Sequence, residues 1–261
     1  MSVLRYPGGK SRAIKVLEEH LPDINSYDLV ISPFFGGGSF ELYIKEKYNK
    51  LIIGNDKFKP LCNFWKHAQQ ANTQLVEKIQ SLLPMTKENF YKYRKDLFEI
   101  DDELLKASYY YIINRSSFSG TTCSGGYSEQ AATKRLTTSA LNRLKEFDGR
   151  NIVFHDMDFN DLIDYYATQD DCNYLVYADP PYYLQENSKL YGQRGDLHEN
   201  FDHQRLFEQL SKCKQFLLCY NDCEYIRNLY QNYNIKKVNW TYGMNKSKKS
   251  SEIIITSYPV T

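Results

Sequence analysis

The tetrapeptide Asp179-Pro180-Pro181-Tyr182 carries the sharpest chemical signal in the sequence. It follows an apolar run, Tyr174–Ala178, that reads as a strand. Ligands of open α/β sheets bind beyond the carboxyl ends of the strands. Two successive prolines fix φ and stiffen the backbone there. The loop then offers a carboxylate (Asp179), a carbonyl with no competing N–H partner (Pro180) and a flat ring (Tyr182). Two acceptors and a stacking face suit a planar ring bearing an exocyclic amine, because each N–H of the amine finds an acceptor. The bland alternative is a proline-stiffened loop capped by an aspartate.

A second constellation lies near the N-terminus. Phe34-Phe35-Gly36-Gly37-Gly38-Ser39 follows one strand pattern and opens a helix. Glycines there let the backbone approach a ligand and present N–H groups at the helix start. Asp56 lies twenty residues beyond Gly36, at the end of the next strand, where a carboxylate can accept from ribose hydroxyls. The turn alone fits tight packing as well; with Asp56 it points to a nucleoside ligand. The dinucleotide fingerprint is not matched. Pro7-Gly8-Gly9-Lys10-Ser11 is not a phosphate-binding P-loop, because Leu4 stands where a glycine is needed and no strand precedes it.

The elements that must position these groups are legible as an alternation. Strand patterns cover Tyr27–Ser32, Leu51–Asn55, Asn151–His155, Tyr174–Ala178, Gln215–Tyr220, Ile235–Trp240 and Glu252–Tyr258, with helical patterns at Arg12–Leu21, Gly38–Tyr48, Asp158–Ala167, His203–Lys212 and Glu224–Asn232. Several strands are near-continuously apolar, as in a sheet covered on both faces. The fold class expected is α/β, a doubly wound, Rossmann-like sheet of seven strands. Between residues 55 and 151 the alternation fails, and Asn72–Leu83, Lys87–Phe98, Asp101–Arg115 and Ser139–Phe147 read as helices. We expect a mostly helical insert over 63–147, on a domain formed by 1–62 and 148–261.

Composition narrows the partners. Hydrophobic residues at 42% and charged residues at 25% are ordinary for a globular chain and exclude a disordered one. No apolar run reaches the ~18 residues of a membrane span, and no secretion signal is visible, so a cytoplasmic protein with no membrane association is expected. The six cysteines and five histidines show no ligand spacing, so no metal is expected. The net charge of +1 argues against nucleic acid at first sight. It hides, however, a basic N-terminal stretch (Arg5, Lys10, Arg12, Lys15), a basic loop (Lys246, Lys248, Lys249) and an acidic run over 156–171. Local patches attract phosphates, although short charge runs are also ordinary solvated faces.

Taken together, these motifs resemble those of the Dam-type N6-adenine-specific DNA methyltransferases. Asp179-Pro180-Pro181-Tyr182 looks like the catalytic motif of that family. Arg5-Tyr6-Pro7-Gly8-Gly9-Lys10 is similar to its N-terminal methyl-donor motif, and Phe34 to Ser39 to its glycine turn. Asn55-Asp56 matches its ribose acid, and Asn114-Arg115-Ser116-Ser117-Phe118-Ser119-Gly120 the signature of its DNA-reading insert. The resemblance spans nearly the whole chain.

It implies S-adenosyl-L-methionine as cofactor, S-adenosyl-L-homocysteine as product and no metal. Tyr6, Lys10, Phe35, Gly36, Gly38, Ser39, Asp56 and Asp179 would line the donor pocket. Asp179 and the Pro180 carbonyl would hold the adenine N6 while Pro181 stiffens the loop and Tyr182 stacks on the base. Arg5, Asn114, Arg115, Phe118, Ser119 and Gly120 would face double-stranded DNA, with Lys246, Lys248 and Lys249 on phosphates. Ser32 departs from the family, which carries an acid there to pair with the donor's amino group; Asp156 is the substitute that the sequence offers. The implied protein works as a monomer, or as a dimer on DNA, with a cognate restriction endonuclease as a partner. Methyl transfer to cytosine N4 or protein glutamine stays open, since related motifs carry Ser or Asn in place of Asp179. A DNA-binding regulator with weakened catalysis is the other reading, and Ser32 lends it weight.

Overall fold

The computed structural model describes residues 2–168, 172–183, 201–240 and 250–259. Seven strands form one sheet: β1 Leu29–Ser32, β2 Leu51–Asn55, β3 Ile152–His155, β4 Tyr174–Ala178, β5 Phe216–Asn221, β6 Asn234–Trp240 and β7 Ser250–Thr256. Their order is β3-β2-β1-β4-β5-β7-β6. The first five pair in parallel, and β7 runs antiparallel to both β5 and β6. The chain winds outward from β1 through β2 to β3, then returns to lay β4 on the other side of β1. Connections diverge between β1 and β4, which opens a crevice at their carboxyl ends.

The seven-stranded α/β expectation holds, because the apolar runs alternate their side chains between two covered faces. Val30, Ile52, Leu175, Tyr177, Leu217 and Cys219 enter one core, and Leu29, Ile31, Ile53, Val176, Leu218 and Tyr220 the other.

Eleven α-helices lie among the described residues. They are α1 Ile14–Glu18, α2 Ser39–Tyr48, α3 Lys59–Gln70, α4 Asn72–Ser81, α5 Lys87–Asp96, α6 Glu103–Ser116, α7 Glu129–Arg135, α8 Thr138–Lys145, α9 Phe159–Ala167, α10 His203–Leu210 and α11 Glu224–Leu229. Caps mark several starts: Thr86, Asp102, Ser128 and Thr137 each accept from a first-turn N–H. Helix α6 runs through the middle of the insert, and its Tyr109, Tyr110 and Tyr111 are all buried.

Helix α3 was not among the helices expected from sequence, and it changes how the insert is bounded. A boundary after residue 62 cuts this helix. Trp65 on α3 donates from Nε1 to the Gly36 carbonyl at 3.0 Å, and Gln69 donates to the carbonyls of Gly149 and Ile152. Helix α3 thus fastens the insert to the sheet. We propose a boundary after Gln70, which leaves the continuous helix with the catalytic domain.

Candidate active site

The glycine turn that leaves β1 is built by close contacts. Gly36 has φ 48° and Gly38 φ 62°, in the left-handed region that glycine enters at little cost. A Cβ on Gly36 would fall 2.8 Å from Cε1 of Tyr6, and one on Gly38 would fall 2.3 Å from Cε1 of Phe35. Tyr6 therefore lies directly on the turn, half-buried. Phe35 points the other way: it is buried and packs edge-on against Trp65 and Phe154. Its side chain props the turn from beneath, unlike the pocket-lining position expected from sequence. Ser39 opens α2 and is half-buried.

Asp56 sits just past β2 and locks onto this turn. It accepts from the Gly36 N–H at 3.1 Å and the Phe58 N–H at 3.0 Å. Burial pushes its pKa up to about 6 against the pull of those N–H donors. Asn55 ties the neighbouring loops together, donating to the Pro33 and Met157 carbonyls and accepting from the Met157 N–H.

Across the crevice, Asp179 follows β4. Lys10 places Nζ 2.7 Å from each of its carboxylate oxygens and donates also to the Gly8 carbonyl at 3.2 Å. Burial raises the Asp179 pKa and the lysine opposes that rise. Lys10 Nζ stands 5.1 Å from the centre of the Tyr182 ring, a cation–π distance. Tyr182 in turn donates its hydroxyl to Glu252. Glu252 is fully buried on β7, opposite Asn221 of β5, so it arrives at the same sheet edge from an antiparallel strand. The site thus joins the N-terminal segment, β1, β2, β4 and β7.

Sequence reasoning missed Glu252, although a lone acid heading Ile253-Ile254-Ile255 was a usable signal. It also missed Glu41 on α2, which is buried and accepts from Ser32 Oγ at 2.7 Å. Asp156 lies at the end of β3, two strands from Ser32 and hence about 10 Å away across the sheet. It is 45% exposed and pairs with Lys66 at 3.6 Å. Ser32 therefore takes its carboxylate partner from α2, and Asp156 is not placed to replace the missing acid.

The insert signature turns out to be largely a clamp. Asn114 is fully buried; it accepts from the Arg5 N–H at 2.9 Å and donates to the Arg5 carbonyl at 2.6 Å and to Thr122 Oγ1 at 3.0 Å. Arg115 is also buried and donates to the Arg135 carbonyl at 2.7 Å. Both were expected to face DNA; their burial makes them supports instead. Gly120 has φ 74°, and a Cβ there would lie 2.8 Å from Cβ of Arg5, so only glycine lets the two segments meet.

What the clamp presents is Phe118, at 68% the most exposed large apolar side chain among the described residues, followed by half-buried Ser119 with φ 55°. Arg5 donates to the Ser117 carbonyl at 3.2 Å beside them. Burial lowers its pKa, and Arg135 and Arg115 lower it further, so three guanidinium groups crowd together. Arg135 is exposed and was not singled out in the sequence. Lys246, Lys248 and Lys249 lie outside the described residues.

Comparison with known proteins gives the family. A model of the D12 class N6 adenine-specific DNA methyltransferases matches residues 6–244. The chain is 25% identical, over 90% of its length and 89% of the relative's, to a protein named Type II methyltransferase M.MjaIII from Methanocaldococcus jannaschii. With its motifs gathered at one sheet edge and the family model spanning nearly the whole chain, the protein belongs to the D12 class N6 adenine-specific DNA methyltransferases.

Proposed function

We propose that this protein methylates N6 of an adenine flipped out of duplex DNA, with Asp179, the Pro180 carbonyl and Tyr182 as the groups that touch the base. The observation that carries the reading is the arrangement around Asp179: a half-buried carboxylate beyond β4 held by Lys10, next to a stiff Pro-Pro turn and an aromatic ring, facing a nucleoside turn across the crevice.

The residues fit S-adenosylmethionine. The glycine turn leaves no room for side chains of its own, Tyr6 offers a ring beside it, and Asp56 offers a carboxylate twenty residues on for ribose hydroxyls. Bound there, the donor supplies an electrophilic sulfonium methyl. On this chain, Asp179 and the Pro180 carbonyl accept the two N6 hydrogens. The N6 lone pair is delocalised into the ring, and those two hydrogen bonds favour a pyramidal nitrogen with the pair freed. Tyr182 stacks on the base and is itself fixed by its hydroxyl bond to Glu252. With the donor bound there, its methyl would pass in line to N6, the thioether would leave with the S–C electron pair, and one N6 proton would pass along the loop's hydrogen bonds to solvent. Positioning of two substrates supplies most of the rate, and charge complementarity supplements it.

Base flipping is required because N6 is paired in the duplex, at a cost of a few kcal/mol. Phe118, Ser119, Arg5 and Arg135 form the face that meets the DNA, with Lys246, Lys248 and Lys249 on phosphates. An exposed aromatic beside clustered arginines suits partial unstacking with charge neutralisation. The insert acts as the target-recognition unit. The protein acts in the cytoplasm, paired with a restriction endonuclease of the same specificity. Incubation with S-adenosylmethionine and genomic DNA, followed by modification-sensitive sequencing, tests the reading and gives the site; absence of N6-methyladenine would overturn it.

A further inference from the structure

Glu41 is a buried acid to which the account above gives no task. It is the third residue of α2, 3% exposed, on the helix that leaves the glycine turn. Its hydrogen bonds come from Ser32 Oγ, at 2.7 Å, and from its own backbone N–H. Among the described residues it has no ion pair. An acid in a first helical turn is ordinary, because the helix dipole favours it there. Such acids face water, however. A carboxylate desolvated this far, with one hydroxyl as its side-chain partner, is costly unless a cation joins it.

Lys10 does not fill that role, since its ammonium is bound to both oxygens of Asp179. The Ser32–Glu41 bond puts the Glu41 carboxylate within one hydrogen bond of the carboxyl end of β1, beside the crevice between β1 and β4. The ligand expected in that crevice brings a cation of its own. S-adenosylmethionine is an amino-acid derivative and carries an α-ammonium group. We propose that Glu41, aligned by Ser32, is the carboxylate that pairs with the donor's α-ammonium, in place of an acid at position 32. The inference rests on the donor reading above. Ser32 is then a positioning residue, and the departure at 32 is a relocation of charge.

The groups facing Glu41 are consistent with this. Ser32 on β1 is neutral, Asp179 beyond β4 repels it, Lys10 attracts it from the N-terminal segment, and Tyr177 on β4 lies close enough to feel its charge. Burial and Asp179 push its pKa up to about 7 despite Ser32 and Lys10. An arriving ammonium lowers that value and favours the ionised acid.

The test compares two ligands on the whole protein by calorimetry. One is S-adenosylhomocysteine and the other its analogue lacking only the α-amino group. Wild-type protein should prefer the amino ligand by at least about tenfold, the worth of a charge-assisted hydrogen bond. That preference should shrink as pH falls below about 7. Glu41→Gln should abolish the preference and leave analogue binding unchanged, and Ser32→Ala should reduce it in part. If Glu41→Gln weakens both ligands equally, or neither, the proposal fails. If wild type binds both ligands equally at every pH, it fails without recourse to a variant, so poor folding of Glu41→Gln leaves it testable. Wild-type protein that binds neither ligand overturns the donor reading itself, and the proposal with it.

Discussion

Replacing Lys10 with methionine removes the cation from Asp179 while keeping the side chain's length. Lys10 is 4% exposed and Asp179 21%. Removing one partner of a buried ion pair costs about 3–5 kcal/mol, because the surviving charge stays buried without compensation. A fifth of Asp179 remains open to the crevice, so water relieves part of the loss and about 3 kcal/mol is expected where Asp179 is ionised. Burial already raises the Asp179 pKa and Lys10 draws it back, so the variant raises it further. A carboxyl whose folded pKa exceeds its unfolded one takes up a proton on folding. Its contribution is full at low pH and is lost as pH rises through the folded value. The variant's deficit is therefore largest at alkaline pH. Below the variant's Asp179 pKa it shrinks by about 1.4 kcal/mol per pH unit, until the wild-type value is reached. Urea melts of both proteins at about pH 8 and about pH 5.5 give the two differences directly. A deficit under about 1 kcal/mol at both, or one that grows on acidification, would refute the reasoning.

Three further outcomes follow from the same geometry. Asn114→Ala strands the Arg5 N–H and carbonyl, so it should cost about 2 kcal/mol or more in a thermal or urea melt, whereas a DNA-facing asparagine would cost almost nothing. Phe118→Ala should change stability by less than about 0.5 kcal/mol, since the ring is exposed, yet weaken binding to a duplex in a fluorescence-anisotropy titration. Unchanged DNA affinity would remove Phe118 from the interface. Affinity for S-adenosylhomocysteine should fall as pH drops through about 6, where Asp56 gains a proton and loses its acceptor role, and Asp56→Asn should bind weakly with that pH step gone.

The strands were legible because apolar runs between polar turns leave little choice. Leu51–Asn55 and Tyr174–Ala178 appear at the bounds read from sequence, and the other strands shift by one or two residues. Helix α3 was missed although its period is clear: Leu61, Cys62, Phe64, Trp65 and Ala68 recur at helical spacing behind a Pro60 tolerated in the first turn, and what the sequence hides is its tertiary role, the bonds from Trp65 and Gln69 to the sheet domain. The short helix α7 was hidden in a Ser/Thr-rich context, with Ser128 as the cap that marks its start.

The site divides the same way. Asp179, Tyr182 and Asp56 follow strands directly, so sequence order alone puts them at the sheet edge. Glu252 and Glu41 arrive from β7 and α2, and only the folded chain brings them there. Asn114 and Arg115 show the converse, since a motif next to a presumed DNA surface can be its scaffold. Ten of the 23 tyrosines find a physical account as well: Tyr27, Tyr93, Tyr109, Tyr110, Tyr111, Tyr174, Tyr177, Tyr220, Tyr230 and Tyr258 are all buried in the two cores.

The central claim is transfer of a methyl group to adenine N6 by Asp179 and its loop. The most direct measurement is digestion of duplex DNA to nucleosides after incubation with the protein and isotopically labelled S-adenosylmethionine, with mass-spectrometric identification of the labelled nucleoside. The account predicts N6-methyldeoxyadenosine with the wild-type protein and none with a folded Asp179→Ala variant. Label on cytosine, or full activity in that variant, would contradict it.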